Sequence, residues 1–294
     1  MKGGQVLTKL SLKPTRYGRR GLAESGHCGR RRSAASRLRL HGWLRSILRR
    51  HSIDMRLLTL NIHHGGGTRG DRLVNFLLKQ AADTIVLTEY RANTTGERIK
   101  SRLSAHGYHN QAASSTEPKQ NGLCILSRLP FAKVEIDCDT GADRHRLLAL
   151  RFEGLLVAGV YLPQKKAKRA VFETLRRNLL PQLGKLGVVL GDFNTGRPFE
   201  DEAGKTFYSA DCFDELLSSG LIDSWRTRNP TDREFSWYSR SNNGFRIDHA
   251  LSTPGFDASI QSIQYIHESR TSGITDHSAL LLHSDSSQFA QRSS

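Results

Sequence analysis

Five places in this 294-residue chain put an acid, an amide or an imidazole at the end of an apolar run: Asn61, Glu89, Asp192 with Asn194, Asp248, and Asp276 with His277. Carboxylates and imidazoles move protons and amides donate to anions, so a pocket gathering these groups could activate water and stabilise developing charge. Several carboxylates with no cysteine beside them make a hard-oxygen site, suited to Mg²⁺ or Mn²⁺ rather than zinc. Clustered carboxylates also repel one another, and a divalent cation removes that repulsion, so bound metal is expected to stabilise the fold. Taken singly, Asn61 could be a turn residue, Asp192 to Asn194 an Asx turn and Asp276 a cap. Their recurrence at strand ends favours a shared cleft, because such ends converge on one rim of a layered α/β protein.

The elements that must position them follow from apolar spacing. Strands are expected at 56–61, 84–88, 123–127, 147–152, 155–161 and 188–190, with shorter ones at 235–238, 247–251, 263–266 and 279–282. Helices are expected at 71–80, where Leu73, Phe76 and Leu77 share a face, at 97–106, and through Val171, Phe172, Leu175 and Leu179, closed by Pro181. Glu153-Gly154 suits a hairpin turn. Paired strands mixed with isolated helices favour an α/β (α+β) architecture, two sheets packed face to face with helices outside, over a doubly wound parallel sheet.

Charge is unevenly spread. Residues 1–54 hold 14 Lys and Arg against Glu24 and Asp54, which is +12 of the chain's net +16 and leaves +4 for the remainder. This stretch is too rich in Arg, Gly and Ser to supply a core. Within it Leu40, Trp43, Leu44, Ile47 and Leu48 recur at helical spacing among arginines, as in a basic amphipathic helix. A targeting or membrane-surface segment, a nucleic-acid arm, and an extension upstream of a true start at Met55 all fit it. The expected division is a basic extension at 1–54, disordered or carrying that short helix, a catalytic domain at 55–283 and a polar tail at 284–294. No run approaches the roughly 18 apolar residues of a spanning helix, so a soluble monomer without stable membrane insertion is expected. Cys28, Cys124, Cys138 and Cys212 are scattered, which suits reduced thiols and a cytoplasmic location.

The order of motifs is more specific. Thr59-Leu60-Asn61-Ile62-His63-His64-Gly65, Leu87-Thr88-Glu89, Tyr161-Leu162-Pro163-Gln164, Gly191-Asp192-Phe193-Asn194, Phe235-Ser236-Trp237, Arg246-Ile247-Asp248 and Thr275-Asp276-His277 resemble those of the endonuclease/exonuclease/phosphatase superfamily, the exonuclease III and DNase I-like phosphoesterases. The resemblance implies a four-layer α-β-β-α sandwich of two mixed sheets. It implies Glu89 as principal metal ligand, with Asn61 and Asp276 completing or orienting the metal shell around Mg²⁺ or Mn²⁺. It further implies Asp192 as the group that orients and deprotonates water, and Asn194 as donor to a non-bridging phosphate oxygen. Asp248 would keep His277 protonated, and Tyr161 would bind the phosphate or assist the leaving group.

The superfamily spans DNA nucleases, lipid phosphodiesterases, inositol-polyphosphate phosphatases and RNA deadenylases, so a shared site does not name the substrate. Phe235-Ser236-Trp237-Tyr238 with Arg246-Ile247-Asp248-His249 is most similar to the exonuclease III branch, which implies a DNA endo- or exonuclease, while Glu89-Tyr90-Arg91 departs from that branch. A lipid or small-molecule phosphoesterase is the alternative. A non-catalytic nucleic-acid-binding protein is a third reading, opposed by intact acids at 89, 192, 248 and 276. Trp237 is expected beneath the site, and His63 and His64 are expected to shape a glycine loop. Arg69, Arg72, Arg91, Arg144, Arg146, Lys165, Lys166, Lys168 and Arg169, in or near the expected rim loops, could meet a phosphate backbone or balance the carboxylates.

Overall fold

Successive side chains of a strand point to opposite faces, so a strand apolar at consecutive positions must be covered on both sides. Leu57-Leu58, Val86-Leu87 and Leu148-Ala149 are of this kind. Leu57, Val86 and Leu148 join one buried cluster, while Leu58 and Leu87 join a second and Ala149 a third. In this computed structural model, which describes residues 54–115, 117–137 and 141–285, that demand is met by two sheets with helices on both outer faces. The basic helix expected at 40–48, Cys28, Cys138 and the tail beyond 285 lie outside the described residues.

The first sheet runs β13 (Ile260–Ile266), β14 (Ala279–Asp285), β1 (Asp54–Asn61), β2 (Thr84–Tyr90), β4 (Gly122–Ser127), β3 (Asn110–Ala113). The second runs β5 (Ala132–Val134), β6 (Leu147–Arg151), β7 (Leu156–Tyr161), β8 (Gly187–Asp192), β12 (Asp248–Ser252), β9 (Ile222–Asp223). At the centre of each sheet lies one parallel pair, β1 with β2 and β7 with β8, and the remaining pairings are antiparallel. The architecture is therefore a four-layer α-β-β-α sandwich of two mixed sheets. Gly159 allows their close approach, since a Cβ there would meet Val86 Cγ1 at 2.9 Å.

The outer layers are amphipathic helices. α1 (Gly70–Lys79) and α2 (Thr94–Ala105) lay Leu73, Phe76, Leu77, Ile99 and Leu103 on the first sheet. α3 (Lys168–Thr174) covers the second with Val171 and Phe172. Pro181 does not close this helix. The chain passes through a π-helical turn, Leu175–Leu179, where the Leu180 N–H reaches Leu175 O, and continues as α4 (Leu180–Leu183). A wider turn just before proline accommodates the missing donor and the ring's clash with the preceding turn, so the helix continues past Pro181.

Other boundaries shift by one to three residues, and the strand expected at 235–238 shrinks to β10 (Trp237–Tyr238), paired with β11 (Gly244–Phe245). The short β3, β5, β9 and β11 and a helix at Ala210–Ser218 have no counterpart in the sequence reading. The polar or two- to four-residue strands carry no measurable periodicity, whereas Ala210–Ser218 buries Cys212, Phe213 and Leu216 at helical spacing, a signal that is present in the sequence.

Candidate active site

Strand pairing brings the distant acids together. Parallel register sets Asn61, at the end of β1, opposite Thr88, one residue before Glu89. Across the sandwich Asp192 pairs with both Tyr161 and Asp248. Gly191 is obligatory there, because a Cβ would lie 2.0 Å from Val160 O. Glu89 sits at a bulge with φ 56 and Asn194 has φ 50, left-handed conformations that cost non-glycine residues energy and tend to be kept at functional sites.

A cleft of about 390 Å³ is lined by Glu89, Asp192, Asn194, Asp276, His277 and Lys168, among others. Asn61 lies behind it, and its Nδ2 donates to Glu89 Oε1 at 3.2 Å and Asp192 Oδ2 at 2.9 Å, bridging the two sheets. Tyr161 donates to Glu89 Oε1 at 3.4 Å. His277 Nδ1 bonds Asp248 Oδ2 at 2.8 Å, and Trp237 Nε1 donates to Asp276 Oδ2 at 3.2 Å. The eight residues singled out by sequence thus form one connected assembly of lining groups and their hydrogen-bond partners. A larger cavity, about 450 Å³ between Ser114, Lys133–Asp137 and Leu147–Ala149, holds none of them.

Burial and the Asp248 charge push the Asp192 carboxyl up to about 7, against the pull of His277. Burial alone would lower the His277 imidazole, but Asp248 outweighs it and raises the group to about 10, so the ring is cationic at neutral pH. Burial and then the Glu89 charge raise the Tyr161 phenol to about 12, leaving it a proton donor. Asp276 is held below the usual carboxylate range; burial opposes this, but His277, His63 and the Trp237 N–H prevail.

Two sets of atoms could receive a cation. Asp192, Asp248 and His277 each offer one within 4.8 Å of the others, but His277 is already cationic and bound to Asp248, and all three are buried. Glu89 and Asp276, with side chains 13% and 43% exposed, offer hard oxygens that a hydrated ion can reach. Glu89 is fixed by four donors, the His64 N–H at 2.7 Å, Asn121 Nδ2 at 3.0 Å, Asn61 and Tyr161. Both are cleft-lining carboxylates whose oxygen chemistry fits a hard divalent cation.

Some expectations change. Trp237 is half-buried and lines the cleft, because its indole N–H seeks Asp276. His63 and His64 line it too, 3.5 Å from Asp276 and 3.0 Å from Glu89. Several of the basic residues are engaged within the protein: Arg69 holds the carbonyls of Ile274 and His63, Arg72 that of Ser272, and Arg146 pairs with Asp143. Lys168 is buried. Asn121 went unnoticed, since Gln-Asn-Gly reads as a turn and nothing local ties it to Glu89.

The endonuclease/exonuclease/phosphatase family model matches residues 58–277. Comparison with curated proteins gives no match. Among solved structures, the chain is similar to a 3′ phosphatase from Neisseria, a NExo variant bound to product DNA hairpin, with TM-score 0.68 and 23% identity over 79% of this chain and 99% of that one. It is also similar to the 3′-5′ exonuclease NExo from Neisseria meningitidis (0.67, 23%, 79% and 100%) and to an AP endonuclease from Archaeoglobus fulgidus (0.67, 20%, 78% and 98%). These likenesses agree in fold with the two mixed sheets and flanking helices. With most of its length matched by the family model, the chain belongs to the endonuclease/exonuclease/phosphatase family of hydrolytic phosphoesterases.

Proposed function

We propose that the chain is a divalent-metal-dependent phosphodiesterase acting on DNA. The observation that carries this reading is the union, in one cleft, of an acid raised towards neutrality, a cationic imidazole and two solvent-reachable carboxylates. Hydrolysis of a phosphodiester needs an in-line nucleophile, neutralised phosphoryl oxygens and help for the departing alkoxide. Asp192 takes the proton of the attacking water; a carboxyl raised to about 7 is a better base than an ordinary one. The His277 imidazolium, held by Asp248, faces the developing negative charge. Tyr161, still protonated, binds the phosphate or donates to the leaving oxygen. Glu89 and Asp276, with Asn61 orienting Glu89, would hold Mg²⁺ or Mn²⁺, which supplies further neutralisation of phosphoryl and leaving-group charge.

DNA is favoured because the similar structures are described as a phosphatase bound to a DNA hairpin, an exonuclease and an AP endonuclease. Among the described residues no helix is long and apolar enough to cross a membrane. The test is hydrolysis with and without EDTA of plasmid DNA, abasic-site duplex, single-stranded RNA, sphingomyelin and inositol phosphates, with Asp192→Ala as control. Metal-dependent cleavage of DNA that the variant lacks is expected. Turnover confined to sphingomyelin or inositol phosphates would replace the substrate, and turnover undiminished in Asp192→Ala would remove the assigned base.

A further inference from the structure

Asn194 is badly placed to donate to a phosphate. A carboxamide has two hydrogens, and in Asn194 Nδ2 donates to Leu162 O at 2.8 Å and to Asp192 Oδ2 at 3.2 Å. Its main-chain N–H goes to Asp192 Oδ1 at 2.8 Å. The residue's donors are all engaged within the protein, on Asp192 and on the Leu162 carbonyl.

Beside it stands a donor with capacity to spare. Lys168, the first residue of α3, is 1% exposed yet lines the cleft. Its ammonium carries three N–H groups, of which one donates to the main-chain carbonyl of Asn194. Among the described residues Lys168 forms no ion pair, whereas the next residue, Arg169, pairs with Asp211. Lysine is almost never buried without a charged partner, because desolvating an ammonium is costly. That cost brings the group down to about 8, with the Asp192 charge working in opposition. A buried cation on the wall of a phosphoester cleft therefore awaits an anion from outside.

We infer that Lys168, rather than Asn194, donates to a non-bridging oxygen of the bound phosphoryl group, and that Asn194 is the positioning residue whose main-chain carbonyl aims the ammonium. This rests on the phosphoesterase reading but not on DNA as substrate.

The test is titration of inorganic phosphate into the full chain in Mg²⁺ buffer, followed by ³¹P line width, for wild type, Lys168→Met, Lys168→Arg and Asn194→Ala. A hydrogen bond to a charged group implies about tenfold or greater weakening in Lys168→Met. Lys168→Arg should recover most of the affinity, and Asn194→Ala, which keeps the main-chain carbonyl, should lose less than Lys168→Met. Phosphate affinity unchanged in Lys168→Met, equal losses in Lys168→Met and Asn194→Ala, or no phosphate binding by wild type would overturn the inference. Parallel DNA hydrolysis separates the two proposals: a wild type that binds phosphate through Lys168 but cuts no DNA removes the DNA reading and leaves Lys168 in place.

Discussion

Two buried groups of charge lie two residues apart on one stretch of chain and behave in opposite ways. Arg246, fully buried, bonds Asp201 Oδ1 at 2.7 Å and Asp223 Oδ1 and Oδ2 at 3.1 and 2.6 Å, and Arg226 adds a second cation to Asp201 at 3.0 Å. Asp248, equally buried, has one oxygen on His277 and the other, Oδ1, without a partner, while Asp192 beside it is pushed up to about 7. In the first group the arginines hold both acids below their usual range, although burial alone would raise them. Acids matched to a cation on every side stabilise the loops that carry Arg246 and Asp201; acids left short of positive charge are poised to exchange a proton or accept a cation.

The largest expected difference is in turnover. Asp192→Asn should lower kcat about 10²- to 10⁴-fold, the range for loss of a general base, while its urea midpoint stays level or rises because an ill-matched buried carboxylate is gone. A midpoint that falls as far as that of Arg246→Met would mean the two groups do the same job.

Arg246→Met should do the reverse. Leaving Asp201 and Asp223 buried without their cation should cost about 3–5 kcal/mol of unfolding free energy by urea titration. A loss under about 1 kcal/mol, the scale of an exposed pair, would show that the cluster is not structural.

Metal should distinguish the groups next. Mg²⁺ at about 100 times its dissociation constant should raise wild-type stability by about 2.7 kcal/mol, and Glu89→Gln should abolish most of that gain. Thermal unfolding with and without EDTA checks it, and an equal gain in Glu89→Gln would move the cation elsewhere.

The smallest effects are on pH dependence, and their signs differ. His277 rises from an ordinary 6.5 to about 10, so its contribution to stability is complete below about 6.5 and is lost as pH climbs through 10. Asp223 is depressed, so its contribution is present above the ordinary 3.8 and is lost as pH falls below that. Asp192, raised to about 7, instead costs stability as pH rises from 3.8 to 7. Hence His277→Gln should flatten the alkaline limb of a stability-against-pH curve and Asp223→Asn the acid limb; the opposite assignment would contradict the comparison. Activity should rise through about 7 and fall through about 10, with the lower limb moving down as Mg²⁺ is raised.

The local code explains what could be read in advance. Long strands such as β1, β2 and β7 carry enough apolar positions to declare themselves, and the acids at their ends stand out because such ends gather on one rim. The continuation of the helix through Pro181 is not legible in residue spacing, because a π-turn leaves no mark there. The sequence places Lys168 only within a basic rim loop, since nothing in its neighbours says that α3 turns it inward.

The chain alone determined the family motifs, the two-faced strands that demand layers on both sides, and the identities of Glu89, Asp192, Asp248, Asp276 and His277, because these are properties of residue type and short-range order. The tertiary structure alone decided which charges are matched. Asn61 reaching from one sheet to Asp192 in the other, Asn121 on Glu89, the engaged amide of Asn194 and the buried ammonium of Lys168 depend on distances between segments up to 131 residues apart, and an electrostatic environment is a sum over neighbours in space, which sequence order does not supply.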